Sequence, residues 1–230
     1  MNTFTLAKIE FKKINIKNQL ITLGIVNIII LLLSIMLEFL MQSSTPGEMY
    51  NINSFIVNNV DILSKAVFVV WESILIAKLI IEEYKNRTML MLYTYPQNRK
   101  KILIAKIALI VSITMAFMVI TQISLNMVFY LLSRFTPLIN YTITMNLFTN
   151  VVITSISALS FCLITFCIGM IRKSVIATVL TSIVIVSTTI SAQGSEGQLL
   201  KILPVAVSLG LVGIVATIIT INRVLKEDLN

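Results

Sequence analysis

The sequence points to an all-α, polytopic membrane protein with six transmembrane helices, an N-terminal interfacial amphipathic helix and both termini on the cytoplasmic side. Three observations carry that expectation. Charged residues make up 12% of the chain and hydrophobic residues 57%, with a mean hydropathy of +0.95. Soluble domains carry roughly 25% charged residues, and half that fraction cannot coat a soluble surface. The apolar residues also run in stretches long enough to supply the roughly 20 residues that cross about 30 Å of hydrocarbon. Finally, the lysines and arginines fall on alternate connections, as the positive-inside bias of membrane proteins requires.

The first element is the arm Met1–Lys17. Phe4, Ala7, Phe11 and Ile14 share one helical face, with Lys8, Lys12 and Asn15 beside them, so residues 1–17 are expected to lie on the membrane surface. Leu6, Ile9 and Ile16 depart from that face, and the plainer alternative is a basic stop that sets topology. The apolar run that follows is longer than a signal-peptide core and lacks a small-residue cleavage site, so it is expected to remain as an anchor.

Six spans follow, at about 20–41, 60–81, 102–132, 143–171, 175–191 and 202–221. The third is longer than a crossing requires, which calls for tilt or a bend. The fifth is short and rich in Thr and Ser. Three turn-rich connections lie outside: Gln42–Asn59 with its Ser-Ser-Thr-Pro-Gly, Ser133–Tyr141 with Pro137, and Ala192–Lys201 with Gly194 and Gly197. None is large enough for a domain of its own, so 1–230 reads as a single transmembrane domain with one cytoplasmic loop of note, 82–101.

Orientation follows from the basic residues. With the N-terminus inside, the inner segments hold Lys8, Lys12, Lys13, Lys17, Lys85, Arg87, Arg99, Lys100, Lys101, Lys106, Arg172, Lys173, Arg223 and Lys226, and Lys78 snorkels to the same side. The outside holds Arg134 and Lys201, with Lys65 near the outer end of the second span.

This distribution also disposes of a nucleic-acid reading of the net charge of +8, because the basic residues follow topology rather than one soluble face. The chain has no histidine, which removes the commonest general base and metal ligand. It has no Gly-x-x-x-x-Gly-Lys-Ser/Thr loop and no Gly-x-Ser-x-Gly elbow. No catalytic, metal or cofactor residue is therefore assigned, and energy for uphill transport has to come from another chain or an ion gradient. Cys162 and Cys167 are five residues apart on one helix, on different faces, and read as small reduced core residues.

Several polar residues fall inside the spans. Glu72 lies near mid-depth of the second, where a charge costs about 2.5–3.5 kcal/mol, so it should face protein or water. Lys65 is two turns away on the same face, and Asp61 and Lys65 are spaced to pair. Two readings stay open for Lys65, Trp71 and Glu72: a lining for a substrate path, or helix packing. The same choice applies to Gln122 and Asn126 in the third span and to Asn146 and Asn150 in the fourth. Helix-to-helix hydrogen bonding, worth about 0.6 kcal/mol each, is the expected role of these four amides.

The densest charge lies between the second and third spans, from Glu82-Glu83-Tyr84-Lys85-Asn86-Arg87-Thr88 through Pro96, Arg99, Lys100 and Lys101 to Lys106. Glu82-Glu83-x-x-x-Arg87 matches a motif of intramembrane prenyl-protein proteases, but those enzymes complete their site with histidines that this chain lacks.

Glu83, Arg87-Thr88, Leu92, Pro96, Arg99 and Lys106 resemble the pattern between the second and third spans of type-2 ABC exporter permeases. Leu6–Lys13 is similar to the amphipathic helix that precedes the first span in that family. The resemblance implies a coupling helix at about Tyr84–Tyr95, ended by Pro96, that docks on a cytoplasmic ABC ATPase carrying ATP and magnesium. It makes Glu82, Glu83, Arg87, Thr88, Pro96 and Arg99 the coupling residues, with Glu83 and Arg87 spaced to support the helix. It also implies a second permease copy or a sister permease. Membrane lipid headgroups are the alternative partner for Arg99, Lys100 and Lys101. Many relatives carry a re-entrant hairpin between the fifth and sixth spans, and Ala192–Lys201 is too short for a full version.

The small build resembles exporters of peptide antibiotics or amphipathic peptides, often serving self-immunity. The abundance of Ile, Asn and Lys suits a low-GC Gram-positive source, hence a multi-pass protein of a bacterial plasma membrane. Two other functions compete: a membrane scaffold or receptor that recruits a soluble partner, and an ion-coupled carrier that uses Lys65 and Glu72.

Overall fold

The computed structural model describes residues 16–44, 52–85, 99–135, 146–192 and 203–227. Every regular element among them is helical. Six rods follow in order: α1 (Ile16–Ser44), α2 (Ile52–Ile76), α3 (Arg99–Phe135), α4 (Asn146–Arg172), α5 (Val175–Ala192) and α6 (Leu203–Glu227). The rod of α2 continues through a π turn, Ala77–Ile81, into a last α-helical turn, Glu82–Lys85. Where the chain enters an apolar phase, a helix satisfies every backbone N–H and C=O within its own segment, which is why these apolar runs fold this way.

The helices overrun several of the expected apolar spans. Helix α1 extends beyond 20–41 at both ends, and α3 runs beyond 102–132 at both ends. Two described stretches, Lys17–Leu40 and Lys100–Phe135, are long and apolar enough to cross a membrane, with hydropathies of 2.8 and 2.5. At 1.5 Å per residue α3 is about 55 Å long, well beyond the roughly 30 Å of a hydrocarbon layer.

Helix α2 is the hub, in contact with α1, α3, α4 and α5, while α6 packs chiefly on α4. The core is stacked in three layers along the bundle. At one end Ile30 of α1 packs with Ile56 and Val60 of α2 and with Leu125 and Phe129 of α3. In the middle, Phe68 and Val69 meet Met118, Ala158 and Phe161. At the other end Ile76, Ile80 and Ile81 pack with Ile107, Phe166, Met170 and Ile221. The outer faces are also apolar: Phe39 is 72% exposed, Ile176 71% and Ile219 61%. Such faces are suited to lipid rather than to water.

Because lipid tails are as apolar as the helices, association between helices depends on close packing and polar contacts. Small residues supply the close packing. A Cβ added at Gly169 of α4 would lie 2.3 Å from the Thr178 hydroxyl of α5 and 2.5 Å from Cδ1 of Ile81. One added at Gly213 of α6 would lie 3.0 Å from the Ser160 carbonyl oxygen of α4.

The turn between α4 and α5 is tight. Lys173 has φ 48°, Lys173 N–H donates to Met170 O at 3.3 Å, and Ser174 N–H donates to Gly169 O at 3.4 Å. The Ser174 hydroxyl then accepts from Ala177 N–H at 3.4 Å, capping α5.

Candidate functional site

Two sets of polar side chains stand out against the apolar bundle. The first is a track of buried groups along α2. Lys65 Nζ donates to Asp61 Oδ2 at 3.0 Å, the i, i+4 pair that the spacing predicts. Gln122 Nε2 of α3 donates to the other oxygen, Asp61 Oδ1, at 3.2 Å. All three residues are buried. One carboxylate thus meets a cation along its own helix and an amide across the interface, which is how a buried charge is held. Asn126 donates back to the Gln122 carbonyl at 2.6 Å, one turn along its own helix.

Two turns further along α2, Glu72 is 1% exposed. Cys162 of α4 and Thr114 of α3 face its carboxyl. The Thr114 hydroxyl already donates to the carbonyls of Ile110 and Val111, at 2.9 and 3.1 Å. Among the described residues, Glu72 Oε1 has no hydrogen-bond partner. Cys162 is a free thiol in the core and also a neighbour of the most buried carboxyl on α2. Beside Glu72, the Ser73 hydroxyl meets that of Ser182 on α5 at 2.9 Å.

Trp71 does not stand open. Its ring stacks on Phe117 at 5.5 Å and 15° and meets Phe68 edge-on at 5.7 Å and 77°. This is the offset-stacked and T-shaped packing of a core aromatic.

The second set gathers at the end of the bundle where α2 stops, α3 starts, α4 turns into α5 and α6 ends. Lys106 of α3, buried at 2% exposure, forms an ion pair with Glu83 in the last turn of α2. Its ammonium also donates to the Leu79 carbonyl at 3.2 Å, inside the π turn. There the Glu82 N–H reaches back five residues to Ala77 O. A π turn in an α-helix recurs at functional positions and widens the helix locally. Lys173 Nζ lies 5.6 Å from the centroid of the Tyr84 ring. A residue with positive φ at a helix end is usually glycine, and here a lysine accepts that conformation with its ammonium on the tyrosine face. Lys100 Nζ donates to Asn222 Oδ1 of α6 at 3.1 Å.

Three cross-links therefore tie the entry and exit of the 82–101 segment to α3, to the α4–α5 turn and to α6. Glu82 is exposed beside them. Sequence spacing sets Glu83 within reach of Arg87, which lies outside the described residues, and the structure pairs Glu83 with Lys106. Helix α3 brings that ammonium to the end of α2, and no pattern within α2 announces it. Arg87, Thr88, Pro96 and most of the expected coupling helix lie outside the described residues, as do the side chains of Arg99, Asn146 and Asn150. The arm 1–15 lies outside them too.

Apolar outer faces around a buried polar track define an all-helical membrane protein. The chain belongs to the ABC-2 family: the family described as ABC-2 family transporter protein matches residues 6–189, from the N-terminal arm almost to the end of α5. It is thereby a membrane permease component of a transporter. The chain is also similar to an uncharacterized protein of Bacillus subtilis (strain 168), YcbO, at 30% identity over 168 residues, 71% of this chain and 73% of the relative. No solved structure matches it.

Proposed function

We propose that this chain is the membrane subunit of an ATP-driven exporter. It crosses a bacterial plasma membrane six times with both termini in the cytoplasm, and a separate cytoplasmic ABC ATPase docks at the end that carries Lys100, Lys106 and Lys173. A second copy or a sister permease completes the pathway. The cargo is an amphipathic or antimicrobial peptide, or a lipophilic compound of similar character.

The observation that carries this reading is the bracing of the 82–101 segment. A docking element transmits force only if it is rigidly joined to the helices it moves. Lys106 ties the last turn of α2 to α3, Lys173 touches that turn from the α4–α5 connection, and Lys100 ties the start of α3 to α6. ATPase movement at the segment would reach α2, α3, α6 and the α4–α5 connection at once. The basic character of this end fits the cytoplasmic side. The test is co-purification in mild detergent with candidate ATPases, comparing wild type with Glu83→Ala/Arg87→Ala, followed by transport in vesicles. Capture of an ATPase that the double variant releases, with ATP-dependent peptide efflux, supports the reading. Efflux of hydrophilic solutes alone would remove the cargo assignment, and no ATPase under any nucleotide condition would remove the coupling assignment.

One observation favours a second reading, an ion-coupled carrier. Glu72 is buried at mid-bundle, and among the described residues its Oε1 has no partner, as in intramembrane carboxyls that take up and release ions or protons. Transport that follows an imposed proton gradient without ATP would select this reading.

A further inference from the structure

We propose that the groove between α3, α4 and α6 binds one acyl chain of an anionic phospholipid from the leaflet at the lysine-rich end. The groove encloses about 520 Å³. Its wall is almost wholly apolar, with Ile104, Ile107 and Ile218 among the lining side chains. The two hydroxyls in the wall are already committed: Ser160 donates to Ile156 O at 2.8 Å and Thr217 to Gly213 O at 2.6 Å. With both hydroxyl protons used within their own helices, this wall offers little to a polar cargo, whereas a hydrocarbon chain needs no partner.

Length and charge identify the occupant. On α3 the lining runs from Lys100 to Val111, and on α6 from Gly210 to Asn222. At 1.5 Å per residue these are about 16 and 18 Å, half of the roughly 30 Å hydrocarbon layer. Among the described residues the lining therefore extends over about one leaflet. Lys100, exposed and held by Asn222 Oδ1, stands at the open end, with exposed Lys101 beside it. A basic pair at headgroup depth over an apolar slot matches an anionic headgroup joined to an acyl chain. It opposes a two-fold copy of this chain, which would bring the same lysines together at the same depth.

The experiment is native mass spectrometry of the full-length protein in mild detergent, with phosphatidylglycerol or phosphatidylcholine of identical acyl chains added. Wild type should retain phosphatidylglycerol about thirtyfold more than phosphatidylcholine, as two lysines near the headgroup imply. Lys100→Gln should lower that preference to about fivefold, and Lys100→Gln/Lys101→Gln should bring phosphatidylglycerol down to the phosphatidylcholine level. Ala108→Phe, from an exposed lining position, should lower occupancy by both lipids about tenfold. Ile218→Trp fills the groove from the facing helix and carries the test should Ala108→Phe fail to fold. Equal retention of the two lipids by wild type, or undiminished phosphatidylglycerol in a folded groove-filling variant, overturns the proposal. So does a wild-type dimer that Ala108→Phe converts to monomer, because the occupant would then be a second copy.

Discussion

Lys106 on α3 and Glu83 at the end of α2 form an ion pair, and the same ammonium holds the Leu79 carbonyl in the π turn. The pair closes the second and third helices where the loop between them leaves the bundle. Glu83→Gln removes the counter-charge from a lysine that is 2% exposed. Loss of a charged hydrogen bond at such a site costs about 1.5–3 kcal/mol. The expected outcome is a lower Tm in detergent, with most of the loss recovered in Glu83→Leu/Lys106→Met, where neither charge is stranded. An unchanged Tm for Glu83→Gln would show that the pair contributes nothing to stability.

The Asp61–Lys65–Gln122 cluster gives a sharper contrast. Asp61→Asn leaves a buried ammonium without its counter-ion, and breaking a buried pair costs about 3–5 kcal/mol. Asp61→Leu/Lys65→Met should recover most of that, because an apolar pair of similar volume replaces a buried ion pair at little cost. Thermal unfolding of both variants against wild type checks the ordering. A double variant no more stable than Asp61→Asn would show that the ions are needed for more than each other.

Glu72→Gln conserves size and hydrogen-bonding capacity while removing the titratable proton. If the protein is driven by an ATPase, this variant should fold within about 1.5 kcal/mol of wild type, as volume-conserving core changes do, and keep its ATP-dependent transport. Vesicle transport with and without a proton gradient provides the check. A folded variant that has lost transport would favour the ion-coupled reading instead.

At Gly169 the contact of α4 with Thr178 and Ile81 leaves no room for a methyl group. Gly169→Ala should destabilise by about 1–3 kcal/mol, the usual cost of overpacking. Thr178→Ala in the same chain should return part of it by removing the hydroxyl oxygen that the new Cβ meets. Tm values for the single and double variants measure both effects. Independent, additive losses would mean that the two residues are not in contact.

Orientation can be read by labelling single cysteines with a membrane-impermeant maleimide in a Cys162→Ala/Cys167→Ala background. Lys101→Cys and Lys173→Cys should react only after the cells are opened, and Phe135→Cys should react in intact cells. All three positions are exposed. Labelling of Lys101→Cys in intact cells would reverse the topology.

Much of this protein was legible in its residues. Scarcity of charge, long apolar runs and the charge-rich segment at 82–101 identified a helical membrane protein and its resemblance to ABC-2 permeases. The Asp61–Lys65 pair was legible too, because i, i+4 spacing is a property of one helix. What stayed hidden lies between helices. In lipid both the inward and the outward face of a helix can be apolar, so periodicity no longer tells which side faces the core. Lys106 as the partner of Glu83, Cys162 and Thr114 around Glu72, the stacked ring of Trp71 and the groove over Ala108 all depend on which helices are neighbours and at what depth. Residues far apart in the chain meet there through packing, which no local pattern records, whereas the choice of helix and of an apolar environment is made residue by residue along the chain.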